Sequence, residues 1–81
     1  MEIASSVLHL QRRDAARNMA RFYCLSVEPS LFGDAVLVRE WGRIGTRGRR
    51  RLDLFADVAA AQEAFRRLAR AKVRRGYRRA G

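Results

Sequence analysis

The chain has 81 residues, with 18 Lys and Arg against 8 Asp and Glu, a formal net charge of +10 and 48% hydrophobic residues. This length accommodates one small domain, and the hydrophobic content is too high for a chain that is disordered throughout. No stretch approaches the roughly 20 apolar residues that span a membrane. The first residues lack the pattern of a signal peptide, so a cytoplasmic protein without a membrane partner is expected.

The positive charge is concentrated in the second half of the chain. Residues 1–38 carry 4 basic and 4 acidic side chains, whereas residues 39–81 carry 14 basic and 4 acidic ones. This asymmetry favours a polyanionic partner, of which nucleic acid is the first candidate. A basic face that is simply solvated is the alternative interpretation.

Residues with catalytic or metal-binding potential are few. Cys24 is the only cysteine and His9 the only histidine, which leaves no intrachain disulfide and no spacing typical of a metal site. The carboxylates are scattered and none forms a recognisable pair with a histidine or serine. We therefore expect a protein that is not an enzyme and that needs no metal or cofactor.

The first half of the chain reads as strands. Residues 7–12 alternate in hydrophobicity, residues 14–19 form a connection, and residues 20–28 place Tyr23, Leu25 and Val27 on one face. Residues 29–34 have the composition of a turn, which Leu31 and Phe32 are expected to anchor on the core.

A hairpin and a helix complete the predicted fold. Strands over residues 35–43 and 52–55 are expected on either side of a connection at residues 45–48. Asp57 is placed to begin a helix with apolar residues at helical spacing, and Gly76 to end it. The sequence thus predicts an α+β fold, in which an antiparallel β-sheet of about four to five strands packs against one principal C-terminal α-helix.

The hairpin carries the most distinctive segment, in which Trp41 is followed by three glycines interleaved with arginines. Such glycines let a backbone approach a phosphate, and arginines hold phosphates while an indole ring stacks on a base or sugar. The segment is neither a Walker loop nor a dinucleotide fingerprint. Burial of Trp41 in the sheet core is the competing interpretation.

These residues resemble the signature of the WGR domain family. The resemblance rests on three parts of the chain: Trp41, Gly42, Arg43, Ile44, Gly45 and Gly48; upstream Phe22, Tyr23, Leu25 and Val27; and downstream Phe55, Ala60 or Ala61, Phe65, and Lys72 to Gly76 and Tyr77. It covers residues 20–78 as a WGR-like domain. Residues 1–19 lie outside it, as an edge strand or a partner contact, and residues 79–81 are expected to be a flexible basic tail.

The resemblance implies a stand-alone bacterial-type WGR protein that binds nucleic acid. In poly(ADP-ribose) polymerases the domain contacts DNA at strand breaks, with the tryptophan against the terminal sugar or base. Ends, nicks or single-stranded junctions of DNA are therefore the expected ligands. Carried over, Trp41 is the stacking group, Gly42 the point of close approach and Arg43 the adjacent cation. The full set of candidate nucleic-acid-binding residues is Trp41, Gly42, Arg43, Arg47, Arg49, Arg50, Arg70, Lys72, Arg74 and Tyr77.

Two alternatives remain open from the sequence. The same stacking and phosphate chemistry serves single-stranded RNA, although DNA is favoured over RNA. The basic face also suits an acidic protein partner, which would make the chain an interaction or regulatory module; the N-terminal segment is a further candidate contact for a protein partner.

Overall fold

A computed structural model of the chain describes residues 6–80. These residues form strands β1 (Ser6–Asp14), β2 (Met19–Pro29), β3 (Ala35–Arg43), β4 (Arg49–Phe55) and β5 (Arg78–Arg79), and helix α1 (Val58–Arg74) between β4 and β5. The strands form one antiparallel sheet in the order β4-β3-β2-β1-β5. The predicted α+β fold is confirmed.

The helix covers one face of the sheet and forms the core with it. Alternate residues of β2 and β3 point toward α1, so Leu25, Val27 and Leu37 are buried against Ala61 and Ala64 of the helix. The predicted inward face of β2 is confirmed. Burial of a Leu or Val side chain stabilises a fold by about 1.5 to 3 kcal/mol, so this small shared core supplies much of the driving force.

Both ends of α1 are capped as predicted. The Asp57 carboxylate accepts a hydrogen bond from the Ala60 amide at 2.8 Å, which satisfies one of the free N–H groups of the first turn. At the other end the Tyr77 amide donates to the Lys72 carbonyl and the Gly76 amide donates to the Val73 carbonyl. This Schellman arrangement requires a left-handed residue, and Gly76 has φ +100°. The reversal returns Tyr77 to the sheet, where it is buried.

The turn between β2 and β3 differs from the prediction. Leu31 and Phe32 were expected to anchor it, but their side chains are 98% and 92% exposed. The turn is instead held by polar contacts: the Ser30 amide donates to the Asp34 carbonyl, and the Ser30 hydroxyl donates to the Asp34 carboxylate. Because these contacts close the turn beyond the end of the sheet, the two apolar side chains have no core surface within reach.

The strand β4 is longer than predicted because its arginines pair with β3. Arg49, Arg50 and Arg51 lie opposite Trp41, Glu40 and Arg39. Arg39 and Arg51 both reach Asp53, at 2.8 Å and 3.1 Å respectively. The run of three arginines shows no alternation of apolar and polar residues, so sequence patterning begins the strand only at Leu52.

Two glycines of the hairpin allow its backbones to cross closely. A Cβ atom at Gly42 would lie 2.7 Å from the Gly48 Cα, and one at Gly48 would overlap the Trp41 carbonyl oxygen and lie 2.9 Å from the Phe22 ring. Gly48 also has φ +70°. Gly42 and Gly48 are therefore required by the packing, because side chains at these positions would push β3 and β4 apart beside Trp41.

We predict that Gly48→Ala destabilises the fold more than Gly45→Ala. Both glycines have positive φ, for which a side chain costs about 1 to 2 kcal/mol, but Gly45 has no atom within 4 Å of its added Cβ. The close approach at Gly48 should add about 1 to 3 kcal/mol of overpacking. Thermal unfolding followed by circular dichroism measures the difference. Equal losses at the two positions would contradict the close-packing role.

A second prediction concerns Asp53 and acid stability. The hydrogen bond from Arg39, followed by that from Arg51, lowers the pKa of Asp53. A carboxyl group with a lowered pKa in the folded state stabilises the fold above its unfolded pKa, and this contribution is lost as the pH falls through the folded pKa. Asp53→Asn should therefore cost most near neutral pH and progressively less below about pH 4.

Urea unfolding at a series of pH values measures this effect. Glu28→Gln is the matched control, because it also removes one carboxylate but Glu28 is exposed and is in none of the ion pairs found among the described residues. A constant stability difference between Asp53→Asn and the unaltered chain across the acid range would overturn the prediction.

Candidate nucleic-acid interface

An aromatic row crosses the sheet at the level of Trp41. Tyr23 of β2 pairs directly with Trp41 of β3, and Leu10 of β1 pairs with Tyr23. The rings of Tyr23 and Trp41 have centroids 6.2 Å apart, and Tyr77 meets Tyr23 edge-on at 6.3 Å. Such tilted and edge-on contacts fix the ring positions. Trp41 packs against the core yet remains partly exposed. The sequence left open whether it stacks on a ligand or is buried in the core, and this position is compatible with both.

A row of arginines lies next to the aromatic row. Arg12 of β1 pairs with Arg21 of β2, which pairs with Arg43 of β3. Like charges directly opposite each other destabilise a sheet. Within residues 6–80 none of the three forms an ion pair with a carboxylate. The fold therefore holds three positive charges side by side without neutralising them.

Arg43 is held in place by the connection between β1 and β2. Its guanidinium donates to the Asn18 carbonyl at 3.2 Å and to the Asn18 side-chain oxygen at 3.4 Å. Asn18 reaches this position because it adopts the left-handed conformation, with φ 52°. These neutral acceptors orient the guanidinium and leave its charge intact.

Lys72 adds a fourth cation from the helix. Helical spacing places Lys72 on the side of α1 that faces the sheet. Its ammonium lies 4.4 Å from the centroid of the Tyr23 ring and 5.4 Å from that of the Tyr77 ring. Burial, followed by the nearby charges of Arg75, Arg21 and Arg39, lowers the pKa of Lys72. Cation–π contacts compensate part of that cost. A bound anion would relieve the remaining repulsion.

These rows enclose a cavity of about 380 Å³. The cavity is lined by three cations, three aromatic residues whose side chains face the helix, and the adjacent positions of Phe22 and Gly42: Arg21, Arg43, Lys72, Tyr23, Trp41, Tyr77, Phe22 and Gly42. No carboxylate is among them. Such a lining accommodates a ligand that combines a negative charge with a flat ring.

The structure brings together half of the residues predicted from the sequence. Trp41, Gly42, Arg43, Lys72 and Tyr77 line the cavity, and Arg49 lies opposite Trp41 in the neighbouring strand. Arg47 lies in the loop beyond Gly45, whose turn is closed by the Thr46 amide donating to the Arg43 carbonyl.

The remaining predicted residues lie elsewhere. Arg50 is 3.6 Å from Glu40, on the sheet face away from the helix. Arg70 and Arg74 are exposed, and helical spacing places them on the side of α1 opposite its buried residues. These three arginines do not line the cavity.

Sequence reasoning did not assign Arg12 or Tyr23 to the site, and it offered Arg21 only as a substitute for the cation that often precedes the Phe-Tyr pair in the WGR family. Arg12 and Arg21 lie in the half of the chain whose net charge is zero, and Tyr23 reads as an ordinary core residue. Only the register of β1, β2 and β3 places them beside Trp41 and Arg43. The one available signal was the alternation that puts Arg21 and Tyr23 on the same face of a strand.

Among curated proteins, the uncharacterized protein y4dW of Sinorhizobium fredii is 49% identical over 71 residues, which are 88% of this chain and 35% of that protein. The chain thus spans about a third of the length of this relative. No solved structure matches the chain. Within residues 6–80 no helix is long and apolar enough to cross a membrane.

The family assignment covers the cavity and the whole described fold. The model of the WGR domain matches residues 6–81, which include β1 as well as the signature around Trp41. WGR domains are nucleic-acid-binding modules in proteins related to poly(ADP-ribose) polymerases. From the extent of this match, this chain belongs to the WGR domain family.

Proposed function

We propose that this chain binds DNA at ends, nicks or single-stranded junctions through the cavity around Trp41. The observation that carries the proposal is the adjacency of two rows on one sheet face: the aromatic pair Tyr23 and Trp41, and the unneutralised arginines Arg12, Arg21 and Arg43. A nucleic-acid strand carries flat bases beside charged phosphates. Its bases can stack on the aromatic pair while its phosphates contact the arginines.

The preference for ends follows from the position of Trp41. Its ring is partly buried at the edge of a concave cavity. We therefore expect it to contact only a base or sugar that projects from the base stack of the DNA. In an intact duplex the faces of the bases are covered by their neighbours. A terminal, nicked or unpaired nucleotide exposes such a face, which contributes about 1 to 3 kcal/mol per stacked base.

The cations have two different roles in this proposal. Arg21, Arg43 and Lys72 line the cavity and contact the phosphate nearest the stacked nucleotide. Arg47 and Arg49 extend the positive surface along the hairpin toward further phosphates. Arg50, Arg70 and Arg74 lie on other faces and contribute to attraction through the overall positive field of the molecule.

The central experiment is a titration of labelled nicked, blunt, intact and single-stranded DNA at several salt concentrations, with a matched RNA competitor. If about five phosphates are neutralised on duplex, the logarithm of affinity should fall with the logarithm of salt with a slope of about minus 4 to minus 5. Weak, salt-insensitive binding to all four DNAs would overturn the proposal. Stronger competition by RNA would assign the cavity to RNA instead.

Removal of the indole should separate stacking from charge. Trp41→Ala is expected to weaken binding to nicked or blunt-ended DNA by about tenfold, because a stacking contribution of about 1 to 3 kcal/mol is lost, while intact duplex is bound nearly as before. The measurement is the ratio of the two dissociation constants. Trp41→Phe keeps an aromatic face and should restore part of the preference for ends. An equal loss on every DNA would contradict the stacking role.

Removal of one cavity cation should change the salt slope. Arg21→Ala is expected to weaken binding to all DNAs and to reduce the slope by about 1, since one phosphate contact is lost. Arg66→Ala is the matched control: it removes the same charge from an exposed arginine that Glu63 contacts at 3.0 Å on the helix. The control should leave the slope nearly unchanged. If both variants lose the same affinity, binding depends on net charge and not on the cavity.

A further inference from the structure

The strand β4 forms one edge of the sheet and leaves one side of its backbone without a strand partner among residues 6–80. Such an edge offers a row of free N–H and C=O groups for pairing with another strand. Next to this edge, on the face away from the helix, Leu52 and Leu54 are 59% and 71% exposed. The edge therefore combines unused hydrogen-bonding groups with apolar side chains that the fold leaves uncovered.

We propose that β4 pairs antiparallel with β4 of a second copy of this chain, in a register centred on Leu52. In this register each Leu52 lies opposite Leu52 of the partner, and each Arg51 lies opposite Asp53 of the partner. Two copies related by a two-fold axis perpendicular to the sheet keep their helices on the same face. The two sheets then form one continuous antiparallel sheet.

Charge complementarity selects this register. Arg51 and Asp53 lie on the same face of β4, one residue on either side of Leu52. Pairing centred on Leu52 therefore places each Arg51, which contacts Asp53 of its own chain at 3.1 Å, opposite Asp53 of the partner as well. A register centred on Arg51 would place two arginines opposite each other, and one centred on Asp53 would place two aspartates opposite each other. Like charges directly opposite are unfavourable in a sheet.

The apolar side chains also fit this arrangement. Leu52 of each copy meets its counterpart directly, and Leu54 lies diagonally beside it on the same face, within reach of side-chain contact. Val38 pairs with Leu52 inside each sheet and is itself buried, so the exposed apolar surface consists of Leu52 and Leu54. Arg50 lies opposite Leu54 of the partner, where its aliphatic stem covers the leucine while its charge stays in water.

The fold leaves space for the second copy. The helix packs mainly over β2 and β3 and touches β4 less, so it does not cover the free edge. Asp53 already receives Arg39 on Oδ2 at 2.8 Å and Arg51 on Oδ1 at 3.1 Å. Its contact with Arg39 is internal to the fold and is retained, while Oδ1 can accept the partner's Arg51.

A cysteine placed at the centre of the register tests it directly. In a Cys24→Ser background, Leu52→Cys should form a disulfide-linked dimer on mild oxidation, because opposite Cα atoms in an antiparallel pair are about 4.5 to 5.5 Å apart, within the range of a disulfide. Leu54→Cys is the matched control on the same edge and face. Its two sulfurs would stand about four residues apart along the strands, or about 13 Å, so it should remain monomeric on a non-reducing gel.

A mixture of Leu54→Cys and Arg50→Cys chains should cross-link to each other, since these positions lie opposite in the proposed register. Circular dichroism of each variant verifies that the fold is retained. Equal cross-linking of Leu52→Cys and Leu54→Cys would overturn the register. Absence of cross-linking at Leu52, together with a single monomeric species at all concentrations in analytical ultracentrifugation, would overturn the dimer.

The unoxidised chain supplies a second measurement. Leu52→Lys changes an exposed side chain, so the fold should be retained while the dimer dissociation constant rises by tenfold or more, as measured by ultracentrifugation. Arg51→Glu should act in the same direction because it faces the partner with a like charge. An unchanged dissociation constant in both variants would contradict the proposal. Since no nucleic acid is present, the outcome is independent of the proposed DNA binding.

Discussion

The pairing of β2 with β3 is the constraint on which the rest of this structure depends. Its register places Tyr23 opposite Trp41 and Arg21 opposite Arg43. A shift of β3 by one residue would turn Trp41 to the other face of the sheet, away from the helix, and would expose Ala35 and Leu37. The burial of these core side chains therefore fixes the position of the candidate site. Packing and the site are specified by the same register.

The glycines of the signature support this register more directly than they contact a ligand. Gly42 and Gly48 allow the backbones of β3 and β4 to cross beside Phe22 with no room for a Cβ atom. Trp41 immediately precedes this crossing, so its ring is held at the rim of the cavity. The conformational freedom that the sequence suggested for phosphate approach is used here to bring two strands together.

The electrostatics of the site follow from the same arrangement. Arg21 and Arg43 in adjacent strands and Lys72 from the helix line the cavity, and Arg12 lies beside Arg21. Burial and neighbouring charges lower the pKa of Lys72. Asp53, by contrast, neutralises Arg39 and Arg51. Positive charges that lie around a cavity without a carboxylate partner favour the binding of an anion there. Arg39, with its partly buried side chain, shows that the fold can pair an arginine where pairing serves stability.

The sequence by itself determined the elements and the family. Alternation of apolar residues specified β2 and β3, Asp57 and Gly76 marked the ends of the helix, and the segment from Trp41 to Gly48 indicated the family and the chemistry. Each of these features depends on residues that are close in sequence, so it can be predicted from the sequence alone. The exposed turn at Leu31 and Phe32 was misjudged because hydrophobicity alone does not say whether core surface lies within reach.

Only the tertiary structure decided which charges act together. Arg12 and Arg21 come from the half of the chain with no net charge, yet strand pairing places them beside Arg43, whereas Arg70 and Arg74 from the basic half face away from the cavity. The schellman turn at Gly76 returns Tyr77 to the sheet beneath Lys72. Contacts between residues far apart in sequence are set by strand register and by helix orientation. Neither can be predicted from the composition of a single segment.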